Sequence, residues 1–385
     1  MPGMRSWPGG KKSWRSFSDE ERVVKILELR PAWVRLFAGR PPAREPFPLG
    51  GWGRLLGAII RRRARQRPVP PRTPFLISVG NLALGGTGKT PVVMDLTRRF
   101  GAAGVRGAIL TRGYGSGLKG PLVITDDNPA AGDEARLMAT EAAPWRWPVI
   151  QSSDRSLGLE FLRAEYPDTQ VALLEDAHQS ARLARHLDLL ILDAWGSRER
   201  DGQPRLVPRT GPVFPLGPWR ENATGARRAA ALLVETSVPV PAISIHGQPV
   251  FAFSRRTELR WRKPGPADPA QPRRWGLISG IARPEGFEQA ALEICPGRVV
   301  MAARCRDHAP YDARLVARIL AGLNEQGVTA IATTAKDWVK LAPLWRDDRP
   351  LAILDLRLVW RQENALDHWL AERAGLPFSK PISWD

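Results

Sequence analysis

An apolar run at 75–79 leads into Gly85-Gly86-Thr87-Gly88-Lys89-Thr90-Pro91, and a helical pattern follows at 92–100. Strand, glycine-rich turn, Lys-Thr and new helix constrain this chain more than any other stretch. Without a Cβ, successive glycines let backbone N–H groups turn inward around an anion. The helix that starts there adds the positive end of its dipole. Lys89 is placed for β- and γ-phosphates and Thr90 for Mg2+. Gly85, Gly86, Thr87, Gly88, Lys89 and Thr90 are therefore the expected cradle for ATP or GTP. The usual P-loop has a further glycine five residues before Gly88, where this chain has Ala83. A strand–helix turn without ligand is the competing reading.

The rest of the chain must say what the nucleotide is for. At 385 residues there is room for two domains of ordinary size. Cys295 and Cys305 form neither a CxxC nor a metal-ligand spacing, which suits a reducing compartment. No run reaches the roughly 18–20 apolar residues that span a bilayer, and charges and prolines stand where a signal peptide needs an apolar stretch. The net charge of +18 is unevenly placed: residues 1–73 carry 17 Lys/Arg against 5 Asp/Glu, the remainder 40 against 34. Such an arm suits a polyanionic surface, nucleic acid or anionic lipid. Trp52, Leu55, Leu56, Ile59 and Ile60 recur at helical spacing and abut Arg61, Arg62, Arg63, Arg65 and Arg67. An apolar helical face next to a basic cluster predicts a helix lying in a membrane interface; a solvated basic helix end is the plainer alternative. Charge concentrated in the arm, with no basic-aromatic interleaving along the core, argues against a nucleic-acid partner.

Beyond Pro74 short apolar runs alternate with helical patterns. Strands are expected at 75–79, 107–110, 171–174, 187–192 and 229–234, with helices at 91–100, 134–141 and 155–165. This alternation predicts an α/β, P-loop NTPase-like fold: a mainly parallel sheet with helices on both faces. A second, smaller α/β domain is expected from strands near 276–278, 299–302, 330–333 and 351–354. The domain reading is an extension of unassigned role at 1–45, with a second interfacial helix as one option for 23–37. A basic amphipathic helix at 46–73, a nucleotide-binding domain at 74–235 and the second domain at 236–385 follow. Ligands of such sheets collect at the strands' carboxyl ends.

Candidate chemistry sits at those ends. Glu175-Asp176 closes one strand and Asp193 another, and either acid is placed to support Mg2+ or to cap a helix. Asp133 opens a helix, as its N-cap or as the carboxylate that deprotonates an attacking hydroxyl. Asp307-His308 follows a strand of the second domain, where the acid could fix the imidazole tautomer. Thr334-Ala335-Lys336-Asp337 is a poor substitute for a guanine-reading motif, which weakens a nucleotide-switch or metallochaperone-type GTPase reading.

Taken in order, these segments resemble the tetraacyldisaccharide 4′-kinase family. The matching pieces are 56–63, Ser78-Val79-Gly80-Asn81 running into 85–91, Thr111-Arg112-Gly113-Tyr114-Gly115, and Gly132-Asp133-Glu134. Then come Glu175-Asp176-Ala177-His178-Gln179, Pro215-Leu216-Gly217-Pro218-Trp219-Arg220-Glu221, Asp307-His308 and 334–341. The family does not keep a glycine at the position of Ala83. The resemblance implies γ-phosphoryl transfer from ATP to the 4′-hydroxyl of an acylated disaccharide 1-phosphate lipid, giving lipid IVA for lipid A and lipopolysaccharide. It implies a peripheral enzyme on the cytoplasmic face of the inner membrane. By the same resemblance Lys89, Asp133 and His308 are catalytic, Thr90, Glu175 and Asp176 serve Mg2+, and Arg220 and Glu221 meet the substrate. Where this chain has Glu175-Asp176-Ala177-His178-Gln179-Ser180, the family commonly has Asp-Asp-Gly-Leu-Gln-His. A catalytically impaired or repurposed P-loop paralogue is the alternative these departures leave.

Overall fold

The computed structural model describes residues 73–376 except 84–87, 114–115, 126–127, 129, 181–182, 193–195, 201–202, 208–212, 214–216, 218, 237–243, 246, 264–272, 282–283 and 308–309. Two strands before residue 29 are also described, and for these and for 196–207 and 244–245 the backbone alone is given. The chain forms two compact units, one of residues 1–39 with 257–355 and one of 40–256 with 356–385.

The first strands, β1 (Trp14–Asp19) and β2 (Arg22–Glu28), form an antiparallel pair that belongs to the 257–355 unit. The option of a helix over 23–37 therefore gives way to a strand over its first six residues. The run Val23-Val24-Lys25-Ile26-Leu27 is β-branched and apolar, and such residues favour a pleated, half-buried surface.

The nucleotide-type unit begins with β3 (Phe75–Asn81) and α1 (Lys89–Ala102). It continues through β4 (Gly107–Thr111), β5 (Leu122–Ile124), α2 (Asp133–Ala142), β6 (Val149–Gln151) and α3 (Arg155–Glu165). Next are β7 (Val171–Glu175), β8 (Leu187–Leu192), a hairpin of β9 (Gly196–Arg200) and β10 (Gln203–Val207), β11 (Ala231–Glu235), β12 (Ser244–Ile245) and β13 (Gln248–Trp261). Strand order in this unit is β13-β11-β8-β3-β7-β4-β6-β5. All neighbours on that path run parallel except the antiparallel β5–β6 edge. Consecutive residues point to opposite faces of a strand, yet Leu76 and Ile77 both have zero exposure. The sheet is covered on both sides, as parallel sheets require. Leu159 and Leu162 of α3 pack with Leu76, Ala108, Leu110, Ala172 and Leu174 on one face. Asp154 caps α3, accepting a hydrogen bond from the Ser156 amide at 2.8 Å.

The other unit adds β14 (Arg273–Ser279), α4 (Pro284–Ile294), β15 (Gly297–Arg304), α5 (Ala313–Glu325), β16 (Ala330–Thr334), α6 (Ala335–Leu341) and β17 (Leu351–Trp360). Its order is β1-β2-β15-β14-β16-β17, parallel from β2 onward. Ile278, Met301 and Ile331 pack with Val316, Ile319 and Leu323 of α5, while Leu277, Ala302 and Ala332 pack with Ala291 of α4.

The final helix, α7 (Glu363–Ala374), returns to the nucleotide-type unit. Arg99 of α1 is 1% exposed and donates to Asp367 at 2.9 and 3.0 Å and to Glu363 at 2.7 Å. Trp360 Nε1 donates to Asp95 at 2.8 Å. The expected boundary at 235/236 differs from the division at 256/257 because Gln248–Trp261 begins by pairing with β11, Leu232 opposite Val250 through Glu235 opposite Phe253. Among the described residues no helix is long and apolar enough to cross a membrane. The segment 46–72, with its expected basic amphipathic helix, lies outside the described residues.

Candidate nucleotide and phosphoryl-transfer site

Parallel strands deliver their carboxyl ends to one rim, and in this unit β3 and β7 do so side by side. Past β3 the chain reaches Gly88, which precedes α1 with φ of +86°, a left-handed conformation that glycine adopts without cost. Lys89 opens the helix at 9% exposure. Its Nζ donates to Asn81 Oδ1 at 3.4 Å and lies 3.8 Å from Asp176 Oδ1. Thr90 follows in the first turn. Gly85, Gly86 and Thr87 lie outside the described residues, as do Asp193 and His308.

Past β7 the chain turns at Asp176, whose φ of +53° is a left-handed conformation that Asp tolerates better than most residues. The turn is held from behind by Arg155 of α3, whose Nη2 donates to the carbonyls of Glu175 and, at 2.8 Å, of Asp176. Burial brings the Arg155 pKa down to about 10, against the opposing pull of Glu175. Asp176 then faces two cations: Lys89, and Arg220, which donates from Nη1 to Oδ1 at 2.7 Å and Oδ2 at 2.8 Å. Burial alone would raise the Asp176 pKa, but Lys89 and Arg220 outweigh it and hold the group below the usual carboxylate range.

Arg220 is positioned by its own backbone, whose amide donates to Leu82 O at 2.8 Å, while Trp219 bridges Ala83. The segment around 219–221 is thus fixed to the chain entering the glycine turn. Glu221 is 1% exposed and sits behind this contact, accepting from Arg228 at 2.7 and 2.8 Å and from Gln179 at 3.1 Å. Gln179 also donates to Asn81 O at 2.7 Å, which closes a ring of contacts around the carboxyl ends of β3 and β7. His178 is fully buried beneath them, with Nε2 3.1 Å from Arg228 Nη2 and Nδ1 3.7 Å from Asp188. Its backbone comes so near β3 that a Cβ on Gly80 would lie 2.4 Å from the His178 Cβ. Sequence reasoning gave Arg155, Asn81 and His178 no catalytic or structural role; as single polar residues they carry no pattern until the strands meet.

Glu175 is the last residue of β7, 6% exposed, and accepts from Thr111 Oγ1 at 2.8 Å. Burial first, then the charges of Glu134 and Asp176, push its pKa up to about 7. The repulsion from Glu134 places the start of α2 near the β7 end. Asp133 is the first residue of that helix, and Gly132 holds the N-cap position. Asp133 is therefore not the cap.

A divalent cation fits this chemistry. Glu175 and Asp176 set two hard carboxylates next to each other at the end of β7, and Asp176 lies 3.8 Å from Lys89, the residue before Thr90. Among the described residues no three acids, histidines or cysteines form a complete metal cage, and Mg2+ characteristically takes one or two carboxylates and leaves the rest to phosphates and water.

In the other unit Asp337 is fully buried and accepts from the Gly280 amide at 2.9 Å, Tyr311 Oη at 3.1 Å and Thr334 Oγ1 at 2.7 Å. Its oxygens are engaged by the protein, so it ties the ends of β14 and β16 to the loop before α5 instead of reading a base. Asp307, expected beside His308, lies 3.5 Å from Lys336.

A parallel α/β sheet with Lys89 and a strand-end acid meeting beside a glycine turn defines a P-loop NTPase-like protein. The chain belongs to the tetraacyldisaccharide-1-P 4′-kinase family, whose profile matches residues 48–375. The tetraacyldisaccharide 4′-kinase of Phenylobacterium zucineum is 34% identical, over 81% of this chain and 88% of that one. The enzyme of the same name from Maricaulis maris is 32% identical over 89% and 95%. Among solved structures, LpxK from Aquifex aeolicus in complex with ATP aligns with a TM-score of 0.62 and 26% identity, covering 85% of this chain and 98% of that chain.

The shift of Glu175 makes a signed prediction. A carboxyl whose folded pKa is raised binds more protons folded than unfolded between its ordinary value of 4.5 and about 7. Stability in that window must therefore fall as pH rises, by on the order of a few kcal/mol at most. Thermal unfolding of the metal-free protein across pH 5 to 8 should show this decline, and Glu175→Gln should flatten it. Parallel profiles for the two proteins would contradict the assignment.

Proposed function

We propose that this chain is an ATP-dependent kinase that moves the γ-phosphoryl group onto the 4′-hydroxyl of a tetraacyl glucosamine disaccharide 1-phosphate, the step that yields lipid IVA in lipid A biosynthesis. The observation that carries the reading is the convergence of Lys89 and Arg220 on Asp176 at the mouth of the glycine turn, in a chain of this family. Phosphoryl transfer asks for charge neutralisation, in-line positioning and a proton acceptor. Residues 85–88 cradle the phosphates through their backbone. Lys89 neutralises the β- and γ-oxygens, and on nucleotide binding it exchanges part of its attraction to Asp176 for the phosphates. Arg220, fixed to Asp176 and to the Leu82 carbonyl, sets a second positive charge beside the transferring group. Asp133 accepts the proton of the attacking hydroxyl, the negative role its place in the first turn of α2 favours. Glu221 is a positioning residue that keeps Gln179 and Arg228 in place behind Arg220. Thr90 and Asp176, with Glu175 behind them, are the residues that would hold Mg2+, which when bound screens charge on the phosphate oxygens.

An acylated, anionic acceptor stays in its leaflet, so the enzyme must come to the surface. The basic cluster Arg61, Arg62, Arg63, Arg65 and Arg67 next to an apolar helical face supports peripheral attachment to the cytoplasmic face of the inner membrane. Each basic residue near an anionic surface contributes about 1 kcal/mol. Replacing all five with Gln should release the protein from anionic vesicles in sedimentation, with no change in unfolding temperature. Undiminished vesicle binding would refute this role. Removing the whole arm is a poorer test, since it would also take β2 away from β15.

Incubation with [γ-32P]ATP and the tetraacyl disaccharide 1-phosphate should give a labelled lipid. Lys89→Ala should abolish it, and Asp133→Asn should lower kcat by roughly 100-fold or more while ATP affinity holds, as expected for loss of a general base. Nucleotide hydrolysis without lipid label would favour the impaired or repurposed alternative.

A further inference from the structure

Strand β13 runs parallel to β11 up to the pair Glu235–Phe253, and Arg255 lies two residues further on. The parallel register runs from Asn81 opposite Ile191, through Leu192 opposite Val234, to Glu235 opposite Phe253, so Arg255 rises from the rim that β3 also reaches. Its Nη2 is 2.7 Å from Glu235 Oε2. The same nitrogen lies 2.7 Å from the point a Cβ would occupy on Gly88, so the guanidinium rests against the glycine that precedes Lys89. The positive φ of Gly88 is what requires glycine there, and the guanidinium fills the space beside it.

The Arg255–Glu235 pair is about one-third exposed on both sides, 31% and 32%. An ion pair of that exposure contributes little to stability, because water and salt compete for both charges. Arginine, with its planar fork of donors, exchanges a carboxylate for a phosphate with little reorganisation. A cation resting against the turn, held by a weak and local partner, has the properties of a stored phosphate ligand.

We propose that Arg255 is a further nucleotide-binding residue of this chain. It is held on Glu235 in the free protein and turns onto the phosphate chain when nucleotide enters. The inference rests on the proposed phosphate site at Lys89. It gives that site cations from three segments: Lys89 beyond β3, Arg220 of the 219–221 segment held on the Asp176 turn, and Arg255 beyond the β11–β13 pairing.

The test is equilibrium binding of ATP to the full-length protein carrying Arg255→Ala, Arg255→Lys, Glu235→Ala or Lys89→Ala, with unfolding temperature measured for each. Arg255→Ala should weaken ATP binding about tenfold, the size of one charge-assisted contact, and Arg255→Lys should recover part of it. Glu235→Ala breaks the same ion pair and should leave ATP affinity equal to or tighter than wild type. If the pair were only structural, Glu235→Ala and Arg255→Ala would weaken binding and lower the unfolding temperature alike, and the inference would fail. Normal ATP affinity in Arg255→Ala, with Lys89→Ala impaired, would overturn the role of Arg255 alone. Normal affinity in both would overturn the phosphate site itself.

Discussion

The site depends on a carboxylate held where two cations want it. Asp176 stands in a left-handed turn, and the carbonyls on either side of that turn are tied down by a buried arginine from α3. Strain of this kind persists only where surroundings over-determine it, and it concentrates at functional positions. Here the turn directs one carboxylate towards Lys89 and Arg220, and so links the glycine turn, the end of β7 and the 219–221 segment. Without nucleotide, the two cations have a partner and stay in place. On the proposed function, arriving phosphates meet cations already at the rim, and little reorganisation is needed.

Beneath that contact the protein uses buried polar groups as scaffolding. Glu221, Arg228, Gln179 and His178 contact one another below the rim, and Asp188 extends the cluster to Arg185 at 2.5 Å. Burial would raise the Asp188 pKa, but His178 and Arg185 hold it far below the ordinary range. Buried polar contacts of this kind gain strength from the low local dielectric and hold the segments they join in one arrangement. Gly80 leaves room for His178, whose Cβ would lie 2.4 Å from a Cβ at that position. Gln179 joins this network to the rim, accepting from Arg220 at 3.3 Å.

Much of the fold could be read from apolar runs because buried parallel strands are continuous and nearly pure. The segments at Val171–Glu175 and Leu187–Leu192 stand within a residue or so of expectation. Three-residue strands such as Leu122–Ile124 and Val149–Gln151 are too brief to show a period. The long strand Gln248–Trp261 was missed because its second half turns charged, with Arg255, Arg256, Glu258 and Arg260 interrupting any apolar signal. Glu175 and Asp176 were legible as strand-end acids, and Lys89 as the lysine after a glycine turn. Arg255 was not. It belongs to the site through strand order, β13 beside β11 beside β8 beside β3, which no local pattern encodes.

The central claim is that the Asp176 charge, and not merely its shape, organises phosphoryl transfer. Asp176→Asn keeps the volume and removes the charge, so single-turnover transfer from ATP to the tetraacyl disaccharide 1-phosphate isolates the effect. The account predicts a loss of roughly 100-fold or more, the scale of a removed electrostatic partner at a phosphoryl centre, with the unfolding temperature nearly unchanged. A variant that transfers phosphate at the wild-type rate would contradict it.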